Sequence, residues 1–446
     1  MGIAEISLLL LLGIFVLLAL GVPLAMASGF LGACVAYWKF GERGFYILGQ
    51  RMYDLTIEHA LLAVPLFVFM AMLLERSNIA EDMYSSLSVW FSKTRGGIAV
   101  ITSFMGIIMA AMSGIIGGEI VLLGLIALPQ MLRLGYDQNL AVGTICASGS
   151  LGTMIPPSIV LIMYGVVTET SIHALFKAAI VPGILLAGLY IVYILIRTRM
   201  NPELAPLPNI DHEVTLRDKL LALKGLLPPV LLITAILGSI YGGITGITEA
   251  AAIGCAGTIL LIKFRGELNV TLMLEALQHT MRSTGTIIWV TLGATTLAGA
   301  YSLIGGPTFV ANAIVGFDIP PMGVILMMMG VFLILGMVMD WVGIVLLTMP
   351  VFLPIINKFS SADMGILGGL EAKHMAVWFG ILFCVNMQVS FLSPPFGGAA
   401  FYLKSVAPPD IKLTDIFKGF LPFIMLQLVV LLIMLLFPEI TSIFLS

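Results

Sequence analysis

Apolar residues in this chain run in long uninterrupted blocks instead of alternating with polar ones. Blocks of about 17–25 residues match the hydrocarbon thickness of a bilayer. They predict membrane-spanning helices near 4–20, 23–39, 60–75, 178–196, 227–242, 247–263, 284–303 and 418–437. Two further blocks, 97–131 and 321–357, are about 35 residues long, roughly 52 Å if fully helical and too long for one crossing. Each has a polar or glycine-rich middle, Ser113-Gly114-Ile115-Ile116-Gly117-Gly118-Glu119 in the first and Met339-Asp340-Trp341-Val342-Gly343 in the second. These two predict re-entrant helical hairpins with tips at those middles. A third kind of block, 138–168 and 374–404, is long enough to cross once but is broken by small polar residues and a proline pair. The breaks are Ala147-Ser148-Gly149-Ser150-Leu151-Gly152-Thr153-Met154-Ile155-Pro156-Pro157-Ser158 and Gln388-Val389-Ser390-Phe391-Leu392-Ser393-Pro394-Pro395-Phe396-Gly397-Gly398. Proline cannot donate to a helix ladder and glycine weakens it, so each break frees backbone carbonyls. In hydrocarbon these are tolerated only when buried in protein or lining a cavity.

The blocks fall into two similar halves. Residues 21–32 match 246–257 at an offset of 225, and 119–123 match 343–347 at 224. Pro156-Pro157 meets Pro394-Pro395 at 238, and Phe176-Lys177 meets Phe417-Lys418 at 241. The order never changes, which marks an internal repeat. Each half then holds three spans, a hairpin, a broken span and a final span. An odd number of crossings inverts the second half, so the chain reads as an all-α integral membrane protein of about ten crossings, two of them broken, in an inverted repeat. The first repeat is 1–196 (scaffold helices 1–75, hairpin 97–131, broken helix 138–168, helix 178–196). A linker, 197–226, joins it to the second, 227–446 (scaffold helices 227–303, hairpin 321–357, broken helix 374–404, helix 418–437). Segments 40–58 and 266–282 carry mixed charge with apolar spacing and read either as interfacial arms or as ordinary loops.

Composition agrees: 60% of the 446 residues are hydrophobic and 10% charged, against about 25% charged in soluble domains. A net charge of −3 gives no nucleic-acid signal. Arg197, Arg199, Arg217, Lys219 and Lys224 place the linker in the cytoplasm and both termini in the periplasm. Lys39, Arg43 and Arg51 run against that orientation. The first segment lacks the basic start of a cleaved signal and reads as a retained helix. Cys34, Cys146, Cys255 and Cys384 lie apart in apolar stretches and read as free thiols.

No catalytic pattern is present. The five histidines are widely spaced, and neither a P-loop nor a Gly-x-Ser-x-Gly elbow occurs. The breaks and tips suggest binding instead. A small hard cation takes several oxygens, which unwound carbonyls and hydroxyls supply. Ser113, Gly114, Ser148, Gly149 and Ser150 form one candidate set, and Gly336, Asp340, Ser390 and Ser393 the other. Small residues also serve close helix packing, but packing does not require breaking a helix. A carboxylate at membrane depth costs about 2.5–3.5 kcal/mol on insertion scales, which singles out Asp340. Glu119 is its rough counterpart; it reads about equally as functional or as an acid lying at the membrane interface or paired with a base such as Arg282. A substrate would sit between tips and breaks, facing Thr153, Pro156, Pro157, Gln388, Pro394, Pro395 and Gly397. Half-helix N-termini after the proline pairs would suit a carboxylate.

Gly-Val-Pro at 21–23, Ser148-Gly149-Ser150-Leu151-Gly152 leading to Ile155-Pro156-Pro157-Ser158, Thr248-Glu249-Ala250-Ala251-Ala252, and Gly336 through Asp340 carry a family likeness over essentially the whole chain. The chain resembles the large membrane subunit of tripartite ATP-independent periplasmic (TRAP) transporters. The resemblance implies an elevator fold and sodium-driven import of an organic acid across the bacterial inner membrane. It implies as partners a small membrane subunit of four spans and a periplasmic substrate-binding protein, with sodium as coupling ion and no cofactor. It also implies that the two candidate sets above hold sodium where tips meet broken helices. Ser393-Pro394-Pro395 departs from the family's commoner Thr-Pro-Pro. A stand-alone inverted-repeat dicarboxylate or anion carrier fits the same hydropathy, and a channel is a further alternative.

Overall fold

The computed structural model describes residues 2–91, 94–114, 117–207, 215–315, 319–337, 339–365, 370–395 and 397–445. Lys93, Ile115, Ile116, Val338, Phe396 and linker residues 208–214 lie outside the described residues. The described chain is helical, without strands. The first half contains α1 (Ile3–Ala19), α2 (Leu24–Phe40), α3 (Glu42–Thr56), α4 (Ala63–Glu75), α5 (Ile79–Phe91), α6 (Gly97–Ser113), α7 (Gly118–Arg133), α8 (Gln138–Gly149), α9 (Ile159–Thr168) and α10 (Ile172–Met200). The second contains α11 (Leu216–Tyr241), α12 (Ile247–Phe264), α13 (Val270–Leu303), α14 (Gly306–Val315), α15 (Pro321–Gly336), α16 (Trp341–Ile356), α17 (Met375–Leu392), α18 (Gly398–Lys404) and α19 (Leu413–Leu436).

Local chemistry sets many of these starts. Asp137, Ser158, Ser171, Thr215 and Asn269 accept backbone N–H bonds at the starts of α8, α9, α10, α11 and α13, satisfying donors that a helix leaves orphaned. The order of elements in the second half follows the first with one contraction. α3 and α4 are separated by a 54° bend, whereas α13 runs unbroken through the stretch that the sequence divided into 266–282 and a span from 284. Gly285, the residue best placed to break it, faces open space and stays helical. At 34 residues α13 is about 51 Å long, well beyond a hydrocarbon core of ~30 Å. Segment 40–58 of the first half is mostly helix, α3, with Gly44 and Leu48 its buried residues.

Length and apolarity suit six helices among the described residues to a crossing, α10, α11, α12, α13, α17 with its preceding turn, and α19. The bent α3–α4 pair makes a seventh. α1 and α2, at 17 residues, fall just short of that length, so the expected ten crossings rest partly on shorter helices.

Packing separates two groups of helices. α2 lies along α13, α4 along α12 and α5 along α11, forming an outer group that exposes large apolar side chains such as Leu8, Phe15, Phe30, Leu231, Leu260 and Trp289. Exposed apolar surface on this scale is expected of a face turned to lipid. The inner group is dry. Val377 through Val389 of α17 are buried throughout, and the Trp378 indole donates to the Met434 carbonyl of α19 at 2.8 Å. α6 and α7 pack together and both pack on α8; α15 packs on α16 and on α17. The halves also cross: α7 packs on α18, and α16 packs on α9.

Candidate functional site

The first tip is built by a glycine in the left-handed region. Gly114 has φ +59° and caps α6, a conformation that costs other residues about 1–2 kcal/mol. Its Cα lies directly against the Pro157 carbonyl, because a Cβ built there would overlap that oxygen. The Ile159 N–H donates to the Gly114 carbonyl at 3.3 Å. Tip one is therefore seated on Pro156-Pro157-Ser158. The triplet Ser148-Gly149-Ser150 meets other parts of the hairpin. The Ser148 hydroxyl donates to Ser103 at 3.1 Å, about three turns below the tip, where Gly106 packs so close that a Cβ built on it would overlap the Ser148 Cβ. Gly149 faces Ile120, next to Glu119 at the start of α7. The sequence grouping of Ser113 and Gly114 with Ser148–Ser150 thus resolves into two neighbouring contacts linked through α7.

Glu119 is buried at 2% exposure. The Ser113 hydroxyl donates to its Oε1, while Oε2 has no partner. The sequence alternative of a pairing with Arg282 does not occur; the ion pairs among the described residues do not include Glu119 or Asp340. The Glu75 carboxylate lies against Gly118, beside Glu119. From there a crevice of ≈ 690 Å³ runs along α7 past Tyr84 and Gln130 to Arg133.

Break one continues beyond α8 as a tight turn, Ser150–Thr153. The Thr153 hydroxyl donates to the Ser150 carbonyl at 3.1 Å, and the Ser158 hydroxyl donates to the Thr153 carbonyl at 2.7 Å. Side-chain hydroxyls thus cover part of what the proline pair leaves unpaired. Thr153, Pro156, Pro157 and Ser158 are all buried. Pro156 borders an apolar cavity shared with Gly183 and Tyr241.

The second site is more open. Gly336 packs so tightly on Ser390 that a Cβ would overlap its side chain. Gly336, Asp340 and Ser390, with Trp341, Phe391 and Tyr402, line a cavity of ≈ 320 Å³. The Asp340 side chain is exposed into it, and none of the lining residues is basic. Pro394 and Pro395 are exposed, in contrast to the buried first pair; both Pro-Pro bonds are cis. The Ser393 hydroxyl donates to the Val389 carbonyl at 2.7 Å, back along its own helix and not into the cavity. Gln388 lies fully buried with neither amide atom bonded, and the Asn386 Oδ1 is likewise unpartnered. Gly397 makes a tight turn, 2.7 Å from the Ser393 carbonyl at its Cβ position. The half-helix that follows, α18, has seven residues, too few for the developed dipole expected after Pro395. Lys404 is tied to the carbonyls of Pro409 and Ile411 and stays out of the site.

Tyr402 joins the two sites. Its ring lies 2.7 Å from the Cβ position of Gly117 at tip one and also lines the Asp340 cavity. Sequence reading missed it, since an aromatic residue near a helix end carries no distinguishing signal. Asn386 was more visible, a polar side chain one turn before Ser390 in an apolar run.

A family model described as "Tripartite ATP-independent periplasmic transporter, DctM component" matches residues 11–440. The chain is 29% identical over 396 residues to the C4-dicarboxylate TRAP transporter large permease protein DctM of Pseudomonas aeruginosa, covering 88% of both. It is 28% identical over 439 residues to the ectoine/5-hydroxyectoine TRAP transporter large permease protein UehC of Ruegeria pomeroyi, covering 96% of both. Among solved structures, the YdaH transporter of Alcanivorax borkumensis shares the fold, with a TM-score of 0.61 at 14% identity over 92% of this chain and 96% of that one. With a match spanning nearly its full length, the chain belongs to the DctM family, the large membrane component of tripartite ATP-independent periplasmic transporters.

Proposed function

We propose that this chain imports a small organic acid across the bacterial inner membrane by sodium-coupled secondary transport. In this reading the cargo is delivered by a periplasmic binding protein and a small four-helix subunit completes the complex. Relatives' names specify a C4-dicarboxylate in one case and ectoine in another, so the family tolerates different cargo on a common frame.

The observation that carries the reading is charge. The Asp340 cavity holds a carboxylate and no basic lining residue, so an anionic cargo entering it meets repulsion. A cation bound beside Asp340 removes that repulsion and adds attraction, which makes cargo binding depend on the ion. The donor set fits sodium: a carboxylate, the Ser390 hydroxyl, and backbone freed at the break and the tip. At the first site the buried Glu119 Oε2 without a partner has the same need, because a desolvated carboxylate is stable only when protonated, paired or bound to a cation.

The movement follows from the two packing groups. The outer helices, α1–α5 and α11–α13, act as scaffold, and the hairpins with the broken helices slide against them as an inverted-repeat elevator. Both termini are periplasmic. In this reading the crevice along α7, with Arg76 and Arg133, serves as an anion path toward the cytoplasm, and hairpin two moves to admit cargo, a reading supported by the open Asp340 cavity and the exposed second proline pair.

Uptake by proteoliposomes holding the purified complex, supplied with binding protein, tests the proposal. Accumulation should collapse when the inward sodium gradient is removed; accumulation that persists at full rate would overturn the coupling.

A further inference from the structure

Tyr402 is carried by α18, the seven-residue half-helix that follows the second proline pair, and its contacts lead into both halves of the repeat. On one side is tip one. The hydroxyl-bearing end of the ring lies over Gly117, with its Cζ, Cε1 and Cε2 atoms 2.7, 2.9 and 2.9 Å from the position a Cβ would take. Gly117 has φ +113° and immediately precedes α7, so the backbone and the ring both require glycine there. The seat continues along α7, where Leu403 and Val406 lie against Gly124. α18 therefore docks on hairpin one over about two turns, from Gly117 to Gly124.

On the other side is the Asp340 cavity. Tyr402 shares its wall with Asp340, Trp341 and Phe391, and the Phe391 ring stands 6.2 Å away, tilted against it. The residue is 43% exposed, so packing does not lock the ring on this side. Its freedom is toward the ≈ 320 Å³ of open space that it lines. Side chains move between discrete rotamers, so the ring leaves Gly117 by a jump, and the cavity is the volume that receives it. An occupant of the cavity, whether cation or cargo, takes that volume away. The seat over Gly117 is then the position left to the ring. A ring lifted from Gly117 uncovers the start of α7, and tip one loses its roof from the second half. When two sites bias one such element, each alters the other by the same factor.

We infer that Tyr402 is a positioning residue that couples the Asp340 cavity to tip one: occupancy of the cavity holds the ring on Gly117 and so holds tip one closed. The inference rests on the sodium reading of the Asp340 cavity and adds to it a link across the repeat that keeps the two sites in step.

The Val121 N–H donates to the Gly117 carbonyl at 3.1 Å, so hydrogen exchange at Val121 reports whether Gly117 keeps its place. Exchange is followed in the purified complex with and without sodium, which serves as the probe. In wild type sodium should slow it, and Asp340→Asn should weaken that slowing roughly fivefold or more. Tyr402→Ala should weaken it as much with Asp340 intact, and Asp340→Asn should add nothing in that background. Tyr402→Phe keeps the ring and should respond as wild type does. Tyr402→Leu, a milder truncation, covers the case of an alanine variant that folds poorly. A ring serving packing alone would change exchange equally with and without sodium. Full sodium-linked slowing in both truncations, or losses from Asp340 and Tyr402 that simply add, overturns the inference. Uptake is measured on the same samples. Uptake indifferent to sodium in wild type removes the sodium reading and this inference together, whereas sodium-driven uptake with unaltered exchange in Tyr402→Ala removes this inference alone.

Discussion

Replacing Gly114 by alanine attacks the seat of tip one with a single methyl group. Gly114 sits at φ +59°, so alanine incurs about 1–2 kcal/mol for the left-handed conformation. Its methyl would overlap the Pro157 carbonyl, and that carbonyl cannot easily retreat. The flanking backbone is held by Ser158 donating to Thr153 at 2.7 Å and by Ile159 donating to Gly114 at 3.3 Å. Yielding would sacrifice at least one such bond, about 0.5–1.5 kcal/mol. The total of about 1.5–3.5 kcal/mol shifts the balance between seated and unseated tip by roughly 10- to 300-fold, at 1.4 kcal/mol per factor of ten. Sodium-driven uptake should fall severely and the melting temperature should drop. Gly330→Ala is the matched control, since that glycine lies inside α15 with nothing near its Cβ position. It should be neutral or stabilising by up to about 1 kcal/mol. Gly114→Ala protein that melts and transports like the Gly330→Ala control would refute the seating.

Asp340→Asn should raise the half-saturating sodium concentration at least tenfold while protein yield stays normal, as read by uptake over a sodium titration; an unshifted curve would remove Asp340 from the ion site. Gln388→Met should separate stability from function. Losing two unpartnered buried amide atoms should leave the melting temperature equal or higher, by up to about 1–3 kcal/mol equivalent, while uptake falls; retained uptake would assign Gln388 to packing alone. At the start of α11, Thr215 donates to Asp218 from both its backbone and its hydroxyl and holds that carboxyl below the usual aspartate range. A depressed folded-state value stabilises the helix start above about pH 4, the ordinary aspartate region, and that support is lost as pH falls through the lower folded value. Amide exchange at residues 216–219, corrected for intrinsic rates, should show the first turn fraying on acidification, and constant protection at low pH would count against the cap.

The parts of the fold governed by hydrophobic length and proline placement were legible in the chain. Pro394-Pro395 follows closely on the end of α17, and Pro156-Pro157 lies between the turn after α8 and the start of α9, so neither pair sits inside a helix; a missing N–H is a local fact that tertiary packing does not reverse. Glycine was less readable. Gly114 and Gly285 look alike in sequence, yet one lies against a carbonyl in the left-handed region and the other stays helical in open space, a difference set by what packs opposite. The extent of α13 was lost for that reason. In the candidate site, polar residues inside apolar runs stood out, and Asp340 and Ser390 do share one cavity. Ser393 stood out equally but bonds back to Val389, as a hydroxyl in a helix readily does. Tyr190 and Gln427 lie 237 positions apart in sequence; only packing brings them together, in a buried hydrogen bond of 2.8 Å between α10 and α19.

The reciprocal crossing of the halves, α7 on α18 and α16 on α9, has a consequence for biogenesis. α9 ends at Thr168 and its partner α16 begins at Trp341, so about 170 residues must follow before α9 is covered, roughly 10–35 s at ordinary synthesis rates. During that interval break one can be seated on tip one but lacks its neighbour from the second half. The buried surface of α9 is therefore completed only late in synthesis, once the second hairpin has been made.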